Sequence, residues 1–270
     1  MQGSSRGAAL AGEDALGAAL DSGVNWTTLA EDLFGITAAI DNNATLRRAL
    51  ADPSRQGDAK ADLVGRLFGG LVTPAAVELL KTLASQRWST ERDLSDTVES
   101  LAVETVVSCA EEGGRADRLE DELFRFERIV AGNVGLREAL TDRRGDVHGK
   151  EQVVARLLEG KVAEETIRLA RQAVLAPRGR RFDRVLETYL AIAGGRRQQL
   201  SATVISAVDL DETQRGRLVS ALSTQYGKAV HLNVVVDPAV IGGIRVQIGD
   251  DVVDGTVLRR LEGARRHFGV

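Results

Sequence analysis

The sequence predicts a mainly α-helical protein, two tandem helical bundles followed by a small α+β domain with the element order β-α-β-β-β-α. Three observations carry that expectation. Up to about residue 195, apolar residues recur three and four positions apart, the spacing of a buried helix face. Within that region a stretch of sequence returns at an offset of 90 residues. After residue 197 the spacing changes to the two-residue alternation of strands.

The first helical face is clear in Leu29, Leu33, Ile36 and Ile40. Breaks are expected at Pro53, Gly57, Gly69-Gly70, Pro74, Gly113-Gly114, Gly145, Pro177 and Gly194-Gly195. Thr73-Pro74 reads as an N-cap with proline at the first helical position, where its missing N–H has no partner to lose. In the repeat, Leu46-Arg47-Arg48-Ala49-Leu50-Ala51-Asp52 returns as Leu136-Arg137-Glu138-Ala139-Leu140-Thr141-Asp142, and 15 of the 47 ungapped positions from 33 to 79 are identical to their partners. Chance gives only a few, so the region is a duplication. Leu46 and Leu50, like Leu136 and Leu140, are four residues apart and face a core, with Asp52 and Asp142 ending the helix. The expected domains are residues 1–92, 93–196 and 197–270.

In the last of these, Leu200 to Val208 alternates and is β-branched, so it reads as a strand. Asp211 followed by Gln214 is a capping-box pattern, and its helix carries Leu218, Val219, Leu222 and Tyr226 to a stop at Gly227. Val230 to Val236 and Ile244 to Ile248 read as further strands; Gly249-Asp250 turns the latter into Asp251 to Asp254. A final helix is expected from about Thr256 to His267.

Composition narrows the chemistry. Aromatic residues make up 4% against 43% hydrophobic overall, so the cores rest on Leu, Val, Ile and Ala, which suits helical bundles. A net charge of -4, with the thirty arginines dispersed, lacks the basic excess of nucleic-acid binders. Cys109 is the only cysteine, which rules out an intramolecular disulfide; its Val-Val-Ser-Cys-Ala setting reads as a buried helix face. No apolar window of ~18 residues is present and the N-terminus is unlike a signal peptide, so a cytoplasmic chain able to dock on a membrane complex is expected.

No P-loop, dinucleotide fingerprint or nucleophile elbow is present, and His148, His231 and His267 lie in different segments without a carboxylate at ligand spacing. No catalytic residue, cofactor, metal or small-molecule ligand is therefore expected. Asp250, Asp251 and Asp254 form the one tight acidic cluster; a general acid/base pair is one reading, and turn and cap chemistry the better one. The residues alone support a non-enzymatic helical adaptor of unnamed partner.

Asp237, Gly242-Gly243, Gly249-Asp250 and Asp254-Gly255-Thr256-Val257 with Arg260-Leu261-Glu262 form a long, spaced pattern. It resembles the signature of the F-type ATP synthase delta subunit family, which includes the mitochondrial oligomycin-sensitivity-conferring protein. The resemblance covers about residues 93–270; residues 1–92 are an extra copy of the helical part, in an actinobacterial style. In some relatives the delta part follows a membrane-anchored stalk segment, whereas here Met1 opens the soluble part directly, so a separate stalk subunit is expected. The resemblance implies a non-catalytic stator part on the cytoplasmic face of the cell membrane. Its helical domain would grip the N-terminal helix of the alpha subunit, and its C-terminal domain the C-terminal region of the stalk b subunit. A groove between helices at about 96–112 and 164–176 would then receive the partner helix, with Leu101, Val106, Ile167 and Ala170 as candidate lining; Asp237, Gly242, Gly243, Gly249, Asp250, Asp254 and Gly255 would be structural.

Overall fold

The computed structural model describes residues 3–254, apart from 143, 199, 209, 227–229, 239, 241, 249 and 250. The last expected helix, and Gly249, Asp250 and Gly255 of the signature, lie outside the described residues. The chain divides into two compact units, with the boundary between Gly194 and Gly195.

The first unit contains α1 (Ser4–Asp21), α2 (Trp26–Asn42), α3 (Ala44–Ala51), α4 (Gly57–Phe68), α5 (Pro74–Ser85), α6 (Glu91–Glu112), α7 (Ala116–Gly132), α8 (Val134–Thr141), α9 (Val147–Leu158) and α10 (Glu164–Leu175), and α11 (Phe182–Gln198) begins in it. The duplication is visible in the element boundaries: α2, α3, α4 and α5 return as α7, α8, α9 and α10, with both ends of each displaced by 90 residues. Local chemistry is duplicated with them. The Asn43 side chain accepts from the Leu46 N–H, and Asn133 from Leu136, so both short helices carry the same N-cap. Arg47 donates to the Asp41 carbonyl, and Arg137 to that of Ala131. The N-terminus of α5 is tied down by Asp32, which accepts from Thr73 N–H at 2.7 Å; at the equivalent place Glu122 accepts from Ala163 N–H at 2.8 Å. Thr73 caps α5, with Pro74 in its first turn as the sequence predicts.

Helix α6 belongs to both copies. Displaced by 90 residues, α1 falls on 94–111, inside α6, and α6 falls on 181–202, which spans α11. The helix thus closes the first copy and opens the second, and it packs against α1, α2, α3, α5, α7 and α10. The expected domain cut between residues 92 and 93 lies in its first turn. A single hydrophobic core runs through both copies, from Ala8 to Ala193. Leu29, Leu33, Ile36 and Ile40 are buried in it as their spacing predicts, as are Leu50 and Leu140.

Gly194-Gly195, expected as a break, is helical, because α11 runs on to Gln198. Glycine costs a helix interior only about 1 kcal/mol relative to alanine, which neighbouring turns can absorb.

The second unit contains β1 (Leu200–Ser206), α12 (Glu212–Tyr226), β2 (Val230–Val236), β3 (Ile244–Ile248) and β4 (Asp251–Asp254). The sheet order is β2-β1-β3-β4, with β1 parallel to β2 and the other pairs antiparallel. The capping box forms as expected: Gln214 N–H donates to Asp211 Oδ1, and Asp211 N–H to Gln214 Oε1. Leu222 of α12 is buried with Ala202, Val204, Val230, Leu232, Val246 and Ile248. Val236, the last residue of β2, is 49% exposed.

Chain geometry explains the paired glycines. After β2 the chain must pass from one side of β1 to the other. Asp237 N–H donates to the Ser206 carbonyl at 2.8 Å and holds the start of this crossing to the end of β1. Gly242 and Gly243 then adopt φ of 67° and 81°, in the left-handed region where a Cβ collides with its own backbone. Gly243→Val is expected to cost at least about 1–2 kcal/mol, the ordinary left-handed penalty, and more for a β-branched residue. Urea unfolding should show an earlier midpoint and faster amide exchange in β3; an unchanged midpoint would refute the requirement.

Candidate functional site

The sequence places a partner-helix groove between α6 and α10, and the structure puts its four candidate residues in unequal positions. Leu101, Val106 and Ala170 are 1%, 4% and 0% exposed, inside the shared core. Ile167 is half-buried and reaches the surface. It lines a cleft of about 300 Å³ with Glu164, Arg168, Arg171, Gln172 and Leu175 of α10 and Glu31 of α2. What lies over α6 is the first copy. A Cβ on Gly12 of α1 would come within 2.6 Å of Leu83 Cδ2 and 3.1 Å of Leu101 Cδ1, so a larger residue there would require the Leu83 side chain to shift.

Two arginines from the second copy reach across to α2. The Arg168 guanidinium stands 5.3 Å from the centre of the Phe34 ring and is ion-paired with Glu31. Burial and the neighbouring Arg171 pull its pKa down to about 10, so it remains a cation at neutral pH. Arg178, in the connection between α10 and α11, has a positive φ of 53° and a side chain only 9% exposed. It binds Asp41 of α2 and, on α6, Ser95, Asp96 and Glu99. The buried Glu99 also takes Arg180 and the Tyr189 hydroxyl. Burial alone would raise the Asp41 carboxyl, but the hydrogen bond and charge of Arg178 outweigh it and hold the pKa below the usual carboxylate value. Burial, with Glu99 close by, pushes the Tyr189 phenol well up. This cluster was not legible in the sequence, because it joins partners as far apart as Asp41 and Arg178, 137 residues from one another.

Elsewhere in the first unit, α7, the end of α9 and the residues after it border a cleft of about 520 Å³ whose lining is apolar at Phe126, Ile129, Leu157, Leu158 and Val162 and charged with both signs at Arg118, Asp121, Glu122, Arg125 and Lys161. In the second unit, Leu210, Gln214, Arg217, Leu218, Ala221 and Ile244 line an open cleft of about 430 Å³. Cys109 is half-buried; burial, then the neighbouring Glu165, raises its thiol pKa, the reverse of an activated nucleophile. Among the described residues no three His, Cys, Asp or Glu side chains stand together as a metal site would require. No helix of the described residues is long and apolar enough to cross a membrane. Of the acidic cluster, Asp251 and Asp254 are the two ends of β4, opposite Ile248 and Arg245 of β3.

The family model of the ATP synthase delta (OSCP) subunit matches residues 103–268. The chain is 51% identical to ATP synthase subunit delta of Kineococcus radiotolerans over 238 residues, 88% of this chain and 86% of that one. It is 45% identical to that of Streptomyces avermitilis over 267 residues, 98% of both chains, and 44% identical to that of Streptomyces coelicolor over 269 residues. These last two alignments include the first helical copy, so the extension is shared with those relatives. The chain belongs to the ATP synthase delta (OSCP) subunit family.

Proposed function

We propose that this chain is the non-catalytic peripheral-stalk subunit of an F-type ATP synthase, tying the catalytic head to the b stalk. In that position it prevents the head from turning with the rotor, so that proton-driven rotation is converted into ATP synthesis. The observation that carries the proposal is the end-to-end likeness to subunits delta, through both helical copies and the C-terminal unit. Support comes also from a helical body with clefts between its helices, the surface type that receives amphipathic partner helices. On this reading the helical copies hold the N-terminal helix of the alpha subunit and the C-terminal unit holds the end of b, at the cytoplasmic face of the cell membrane. Asp237, Gly242, Gly243 and Asp254 act as scaffold. We propose the three-part division 1–92, 93–196 and 197–270, with α6 common to the first two parts.

The test is coupling. Membranes carrying the synthase stripped of this chain should hydrolyse ATP without building a proton gradient, and adding the purified chain back should restore ATP-driven proton pumping. Restored binding without restored pumping would reject the stator role.

A further inference from the structure

We infer that the outer flank of α7 is a docking face for a helix of another subunit of the complex, one that presents an arginine to Phe124 and Asp121. The inference rests on the stator reading above for the source of that helix, and on the duplication for its chemistry. Glu31 and Phe34 of α2 return, displaced by 90 residues, as Asp121 and Phe124 of α7. Each pair sets an acid three residues before a ring, hence beside it on the helix surface. In the first copy the pair is occupied: Phe34 is 4% exposed, with the Arg168 guanidinium over its ring and ion-paired with Glu31. In the second copy Phe124 is 53% exposed. Asp121 pairs with Arg125 of its own helix, both side chains more than half exposed, a contact that is weak and readily exchanged.

The residues around the ring define what can cover it. On α2 the neighbours Ala30 and Thr37 are buried with Phe34. Their equivalents on α7 are Glu120 and Glu127, both half-buried. With Asp121 they set three carboxylates within about one turn of the ring, against the cations Arg125 and Arg128. A purely apolar cover would desolvate these charges, which is costly, and an anionic one such as a lipid headgroup layer would add like charge. An arginine satisfies both halves of the face at once. Its planar guanidinium stacks on the ring while its N–H groups take a carboxylate, as Arg168 does on the first copy. Lysine, a compact and strongly hydrated charge, is the poorer fit. The precedent is helical too, since Arg168 is delivered from α10.

The experiment measures rebinding of the full chain to synthase membranes stripped of it. Phe124→Ala should weaken rebinding about tenfold while leaving the melting midpoint nearly unchanged. Phe124→Trp should bind as the parent chain does, and Phe124→Leu, which is apolar but has no ring, should resemble Phe124→Ala. Asp121→Lys should weaken rebinding at least as much. Parent-like affinity in Phe124→Ala or Phe124→Leu overturns the inference. As a second measurement, a benzophenone amino acid placed at Phe124 should, on irradiation of the assembled complex, crosslink to another subunit within one helical turn of an arginine. A crosslink solely within this chain overturns the inference as well. Failure of the parent chain itself to rebind removes the stator reading and this inference with it, whereas the variants of a parent that does rebind judge the docking face alone.

Discussion

Arg178→Met is expected to destabilise the protein by about 3–5 kcal/mol, the usual cost of removing one partner from a buried ion pair. Methionine keeps much of the side-chain volume, so the loss reports charge and hydrogen bonding. Asp41 would lose its main partner, and Glu99, 5% exposed, would keep only Arg180 and Tyr189. Against a typical total of about 5–15 kcal/mol, such a loss is a large shift in the urea midpoint at constant slope. The control is Arg184→Met. Arg184 pairs with Glu187 on an exposed helix face, and its loss should leave the midpoint unmoved. An equally small shift for Arg178→Met would show the cluster to be no more than surface charge.

The same cluster sets a pH dependence whose sign follows from Asp41. Its folded pKa lies below the unfolded value of about 3.9. The stability it contributes is therefore fully present above that unfolded value and is lost as pH falls through the folded one. Glu122 and Glu165 act in the same sense. Burial would raise each, but Thr166, Ala163 N–H and Arg118 around Glu122, and Arg115 beside Glu165, prevail. The gap between Arg178→Met and the parent chain should accordingly hold from pH 7 to about 5 and narrow below about 4. A gap that widened in acid would contradict this account.

Local rules were legible where local chemistry decides structure. The α2 face, the Thr73-Pro74 start of α5, the Asp211–Gln214 box and the alternation of β3 all follow from side chains within a few residues of one another. The duplication was legible because it is a property of the sequence itself. What the spacing could not disclose is what covers a buried face. Leu101 and Ala170 have the pattern of residues facing something, and periodicity is the same whether that is a partner's helix or the chain's own. The shared role of α6 was hidden for a related reason. Ser95, Thr97, Glu99, Thr105 and Ser108 are buried yet polar, so its sequence reads as more amphipathic than its surroundings are. The Thr hydroxyls at 97 and 105 return to carbonyls four residues earlier, at Asp93 and Leu101, which removes much of the cost of burying them.

The double role of α6 yields the second large effect: residues 93–270, the part that the family signature marks out, are expected to aggregate when produced alone. The comparison between α1 and α6 says why. In α1 the buried residues are Ser5, Ala8, Gly12 and Leu16; their equivalents Ser95, Val98, Ala102 and Val106 are all buried in α6. Nine more residues of α6 are buried, of the thirteen in all, at positions that α1 leaves at least partly open. Among them Leu94, Leu101, Val103 and Val107 are aliphatic. Baring them forfeits about 1.5–3 kcal/mol apiece, roughly 6–12 kcal/mol in total, as much as a domain's whole stability. The chain itself records what an open face tolerates, since the equivalent residues of α1 are Ser4, Ala11, Glu13 and Gly17. Leu94→Ser, Leu101→Ala and Val103→Glu together should therefore return the fragment to a monomer with a cooperative melt. Sedimentation and thermal unfolding decide it: an unmodified fragment that is already monomeric and melts cooperatively would mean that the second copy does not depend on the first.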